Sequence, residues 1–102
     1  MSARQQITAL IFDKRGRVLS VGQNSYIKTH PLQAHYASIV GLDQKIYLHA
    51  EVHAITRCPD LSKAHRILIT RYGRNGRPAL AKPCPVCQTA IAATPIKIIE
   101  HT

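Results

Sequence analysis

Tryptophan is absent from this 102-residue chain, and phenylalanine and methionine occur once each. With aromatics at only 5%, the interior has to be built from Ile, Leu, Val and Ala, and any stacking of flat ligands falls to four Tyr. Acidic residues are also scarce. Five Asp and Glu stand against 14 Lys and Arg, a formal net charge of +9. That imbalance favours anionic partners such as nucleotides or nucleic acid, although a charged surface also serves solubility alone. The three cysteines are too few and too odd in number for a disulfide framework. No basic stretch followed by an apolar run opens the chain, and no apolar run approaches the roughly 18 residues that cross a bilayer. A soluble, cytoplasmic protein without membrane contact is expected.

What is present suits a globular fold. The apolar fraction is 45%, and the length is that of one domain, so residues 1–102 are read as a single unit. Ile7 to Phe12 is a short β-branched apolar run that predicts a strand. Asp13-Lys14-Arg15-Gly16 is a turn, and Val18 to Val21 returns as the second strand of a hairpin, ended by Gly22-Gln23-Asn24. Pro31 to Val40 has helical spacing with Gly41 as its stop, and a second helix is expected from near His49 to Arg57. His65 to Tyr72 predicts a third strand, and Gly73-Arg74-Asn75-Gly76 a tight turn from which the chain runs back through Ala79 to Ala81. A third helix is expected from near Cys84 to Thr94, stopped by Pro95, and Ile96 to Ile99 is the last strand. The order β-β-α-α-β-α-β implies a mixed sheet, parallel where helices make the crossovers.

Two short motifs carry chemistry. Cys84 and Cys87 stand at the start of a helix, where two thiols three residues apart can grip one metal. The unpaired N–H groups and positive dipole end of that helix favour thiolate, and Pro85 fits the first turn because its missing N–H costs nothing there. His49 opens the other helix and would add a neutral nitrogen. Two thiolates and one imidazole suit zinc and leave a fourth position for water, whose pKa the metal lowers toward about 7. Glu51, two residues on, is placed to move protons at that open position. By itself the C-x-x-C pair also fits a redox pair or half of a structural zinc site, with Cys58 and His53 the nearest further ligands in sequence.

Together, His49-x-Glu51 and Pro83-Cys84-x-x-Cys87 match the signature H-x-E…P-C-x-x-C of zinc deaminases. On these motifs the chain resembles the cytidine and deoxycytidylate deaminase superfamily. The resemblance implies an α/β, three-layer fold: a mixed sheet of four or five strands, with the two site helices side by side on one face. It implies that His49, Cys84 and Cys87 hold zinc. Hydroxide generated there attacks the amino-bearing ring carbon while Glu51 shuttles protons to the ring nitrogen and to departing ammonia. It also implies that the Ala50 N–H bonds the base carbonyl and that Asn24 lies against the sugar. Many members carry a helix before the first strand and further elements after the last. One sheet face is therefore expected to be short of cover, so that either the Pro31 helix packs there or chains associate; a homo-oligomer is expected.

The basic residues leave the substrate open. Arg71, Arg74, Arg77 and Lys82 populate the connection into Pro83, and Lys28 and His30 follow Asn24; these are candidate phosphate contacts. The leading expectation is deamination of a cytosine-type base in a nucleoside or nucleotide. Deamination of cytosine or adenine within RNA or single-stranded DNA is the alternative, with Tyr26 and Tyr72 as stacking candidates. A non-catalytic zinc-stabilised binding module is the third reading, against which Glu51 speaks.

Overall fold

The computed structural model describes residues 6–25, 27–42, 47–72 and 76–102. Strands β1 (Ile7–Phe12) and β2 (Val18–Gln23) form an antiparallel hairpin, followed by helices α1 (Pro31–Ile39) and α2 (Ala50–Arg57). A single 3-10 turn (Leu61–Lys63) leads into β3 (Arg66–Arg71), and α3 (Pro85–Ala92) then crosses to β4 (Ile98–His101). The sheet order is β2-β1-β3-β4, with β1 antiparallel to both its neighbours and β3 parallel to β4. This is the mixed four-stranded α/β arrangement expected. Among the described residues, no helix is long and apolar enough to cross a membrane.

Local chemistry explains the element ends. The Asp13 carboxylate accepts the backbone N–H groups of Arg15 and Arg17, both at 2.9 Å, and Gly16 takes φ +84° to complete the hairpin turn. Helix α1 starts with His30 at its N-cap, where Nδ1 accepts the Leu32 N–H at 3.0 Å. It stops in a Schellman motif at Gly41, φ +74°, with Leu42 N bonded to Ala37 O and Gly41 N to Ser38 O. Pro85 sits in the first turn of α3.

Two boundaries differ from expectation. Gly22 does not end β2; the strand continues through Gln23 because Gly22 is where α2 lies against the sheet. A Cβ there would fall 2.8 Å from Ala54 Cα and closer still to Ala54 N and Ala50 O. The last strand begins at Ile98 instead of Ile96, since Ile96 packs against the core and pairing with β3 starts only at Arg66↔Ile98. The chain runs back through Ala79 to Ala81 as expected, held by Arg71 O and by Thr102, whose carbonyl accepts the Ala81 N–H at 2.7 Å. The turn at Gly73 to Asn75 and the residues Tyr26 and Ile46 lie outside the described residues.

The core lies between one sheet face and the helices. Ala9 and Ile11 of β1 and Ile67 and Ile69 of β3 alternate inward against Val52, Ala54 and Ile55 of α2 and Cys87, Ala90 and Ile91 of α3. The expectation that the Pro31 helix covers the other sheet face does not hold. Helix α1 packs on α3, and its buried Gln33 and Ala37 lie on the core side with Leu32 and Tyr36. The far face, with Val18, Val21 and Ile98 exposed, carries no helix among the described residues.

Candidate metal centre and active-site cavity

Helices α2 and α3 pack side by side with both N-termini at the end of the sheet where β3 finishes. His49 is the N-cap residue of α2 and Cys84 that of α3, yet neither side chain caps its own helix. They turn toward each other instead. His49 Nδ1 lies 3.2 Å from Cys87 Sγ and 3.5 Å from Cys84 Sγ, and the three donor atoms all fall within 4.8 Å of one another.

That spacing suits a zinc ion. Tetrahedral zinc with ordinary Zn–N and Zn–S lengths puts its nitrogen and sulfur ligands about 3.5 Å apart. Among the described residues no other group of three His, Cys, Asp or Glu side chains is so placed. His53, one turn on, instead accepts the Gln23 N–H at 3.0 Å and so ties α2 to the end of β2. Cys58 is a half-buried residue packed on the core. Neither completes a four-ligand structural site.

The electrostatics follow from burial and from the sulfur–sulfur contact. A hydrogen bond from the Cys87 thiol, aided by one from His49, holds the Cys84 thiol down at about 3 against desolvation. The same bond, with burial, pushes the Cys87 thiol up. Burial also raises the Glu51 carboxyl above the ordinary carboxylate range, opposed by a hydrogen bond with Cys87. A divalent cation among the three ligands would invert the thiol chemistry, because a coordinating thiol is deprotonated outright.

A cavity of about 420 Å³ opens on this cluster. His49, Ala50, Glu51 and Cys84 form its floor, with Asn24, Arg71 and Lys82 on the walls. The Asn24 Oδ1 accepts the Ile7 N–H at 2.8 Å, which fixes the amide's orientation. Of the other basic candidates, Arg77 and Lys28 are not on the cavity wall, His30 is spent as a helix cap, and Arg74 lies outside the described residues.

Several wall residues carried no motif in the sequence. Ser25, Tyr47, Ile69 and Leu80 are among them, and their only sequence signal is proximity to residues that do. Gln33 was also missed. It is fully buried, and its Oε1 accepts the His49 N–H at 3.2 Å, so α1 holds the start of α2 in place. Its spacing of four from Ala37, on the buried side of a helix, was the available clue.

No curated protein matches the chain. Residues 2–100 match the family model described as the cytidine and deoxycytidylate deaminase zinc-binding region. A match over nearly the whole chain, together with a histidine and two cysteines positioned for a metal ion, shows that the chain belongs to the cytidine and deoxycytidylate deaminase family of zinc-binding deaminases.

Proposed function

We propose that this protein is a hydrolytic deaminase acting on a cytosine-type base of a nucleoside or nucleotide. The observation that carries the reading is a buried carboxyl, Glu51, on the floor of a ligand-sized cavity together with His49 and Cys84, two of the three candidate metal ligands, with Cys87 buried beneath. Zinc, held by His49, Cys84 and Cys87, would supply an activated water at neutral pH. Glu51 Oε takes the proton of the attacking water, delivers it to the ring nitrogen beside the amino-bearing carbon, and helps protonate the departing ammonia. The N–H of Ala50, in the first helical turn, has no intrahelical acceptor and would bond the base carbonyl. Asn24, held by Ile7, would meet the sugar. The surrounding thiols stay reduced in a cytoplasmic setting, which fits this chemistry.

Ammonia release tests the proposal over a panel of cytosine, cytidine, dCMP, adenosine, guanine and short single strands. Release from cytidine or dCMP, lost by at least a hundredfold in Glu51→Gln while zinc stays bound, is expected. Unchanged release in Glu51→Gln would remove the shuttle role, and a zinc-loaded protein inert on the whole panel would leave a binding module. Action on a base within RNA or single-stranded DNA is favoured by one observation: Tyr47 lines the cavity yet is 49% exposed, as a stacking ring would be. Activity confined to strands would select it. The bare sheet face also supports self-association of chains.

A further inference from the structure

Arg71 ends the inward row of β3, two residues beyond Ile69, and its side chain joins the cavity wall. One guanidinium nitrogen, Nη1, donates to Leu80 O at 3.4 Å. The Nε is buried and has no hydrogen-bond partner among the described residues. A buried donor on a charged group is costly to leave unmade, so an acceptor is expected from whatever fills the cavity. Lys82 stands on the same wall. Among the described residues, the side-chain carboxylates other than Glu51 are committed elsewhere: Asp13 to Arg17, Asp60 to Lys63 and Glu100 to Arg66. Glu51 lies buried in the floor. Among the described residues, neither Arg71 nor Lys82 has an ion-pair partner.

We propose that Arg71 and Lys82 form a phosphate subsite, so that the substrate is a phosphorylated nucleotide and not a free nucleoside or base. Phosphate oxygens satisfy the planar guanidinium of Arg71 as a fork and Lys82 as a point charge. The whole cavity measures about 420 Å³, and the part beyond Arg71 and Lys82 takes the sugar and base. The inference rests on the deaminase reading above, which supplies the floor of the same cavity.

Binding of product-type ligands tests the subsite without turnover. Uridine, UMP and a uridine dinucleotide with one internal phosphodiester are titrated against the zinc-loaded protein by calorimetry at low salt. UMP or the dinucleotide is expected to bind at least tenfold tighter than uridine. Arg71→Gln and Lys82→Gln are each expected to cut that ratio severalfold. Because Arg71 also holds Leu80, the exposed Lys82 gives the variant least able to disturb the fold. Preference for UMP over the dinucleotide assigns a terminal phosphate, and the reverse assigns a strand. Equal affinity for all three ligands, or a ratio unchanged in both variants, overturns the subsite. Ammonia release, read separately on the panel above, decides the deaminase reading, so each can fail alone.

Discussion

Gln33 belongs to a helix that carries no reacting group, yet its Oε1 holds the backbone N–H of His49, and with it the first residue of the metal cluster. In Gln33→Leu the volume is kept and the acceptor is lost, leaving a partly buried N–H unsatisfied at a cost of about 1 kcal/mol or more. Groups that orient a metal ligand typically affect metal affinity by about 10–100-fold, so zinc should be taken up by a competing chelator roughly tenfold more readily than from the parent protein. Equal zinc retention would show that α1 has no part in the site. Asp13 gives a pH-dependent counterpart at the hairpin turn. The backbone N–H of Arg17, then the Arg17 side chain and the Arg15 N–H, hold its carboxyl below the usual carboxylate range. A carboxyl lowered in the folded state stabilises above its unfolded pKa, about 3.9, and that stability is lost as pH falls through the lower folded value. Asp13→Asn should therefore unfold at lower urea than the parent at pH 7, with the gap closing as the pH is taken down below the usual carboxylate range. A gap constant across that range would mean that the ionised carboxylate contributes nothing.

At the level of elements, the tightest constraint is the approach of α2 to β2. Ser20 donates to Ala54 O at 2.8 Å, and one register step on, the hydrogen of Gly22 faces Ala54 and Ala50. The obstacle at Gly22 is backbone and cannot rotate away, so Gly22→Ala has to push α2 outward or break the strand. The expected destabilisation is about 3 kcal/mol or more, at the upper end of overpacking penalties. Since α2 carries His49 and Glu51, zinc affinity should fall with it; a thermal melt matching the parent's would refute the close approach. This constraint also marks where the sequence stops being legible. Pro85 and Gly41 announce a helix start and stop through their own φ preferences, and the runs at Ile7 and Ile67 announce strands through local pattern. His49, Glu51, Cys84 and Cys87 were readable for a similar reason, since each pair sits within one turn of a helix start. Gly22, read alone, looks like a strand end because the helix that requires it is 28 residues away at Ala50. Tyr47, Leu80 and Gln33 were equally silent, being brought to the cavity by tertiary packing and by no motif of their own.

For the whole molecule, the distribution of apolar surface is as telling as the net charge of +9. On the helix-covered face Ala9, Ile11, Ile67 and Ile69 of the two central strands are buried completely, whereas the opposite face shows two cross-strand rows open to solvent. One runs Val21, Leu10, Leu68, Glu100, and the other Val18, Phe12, Arg66, Ile98. Arg66 lies over the Phe12 ring at 4.0 Å and pairs with Glu100 at 2.6 Å, so the face contains an internally neutral ion pair amid apolar side chains. Val18 at 53%, Val21 at 42% and Ile98 at 43% exposure form the kind of contiguous apolar surface that monomers seldom leave bare. A second copy suits it better than a nucleic acid does, because the cations there are already paired and the surface is aliphatic. The chain is therefore expected to sediment as a dimer or higher oligomer at micromolar concentration. Val21→Lys, which puts a charge on the β2 side of the face without touching the core, should shift it toward monomer. High salt separates this from charge-driven assembly: association through the aliphatic face should persist or strengthen at 1 M salt, where the screening length falls to about 3 Å. A monomer at every concentration, or an assembly indifferent to Val21→Lys, would show that chains do not meet through this surface.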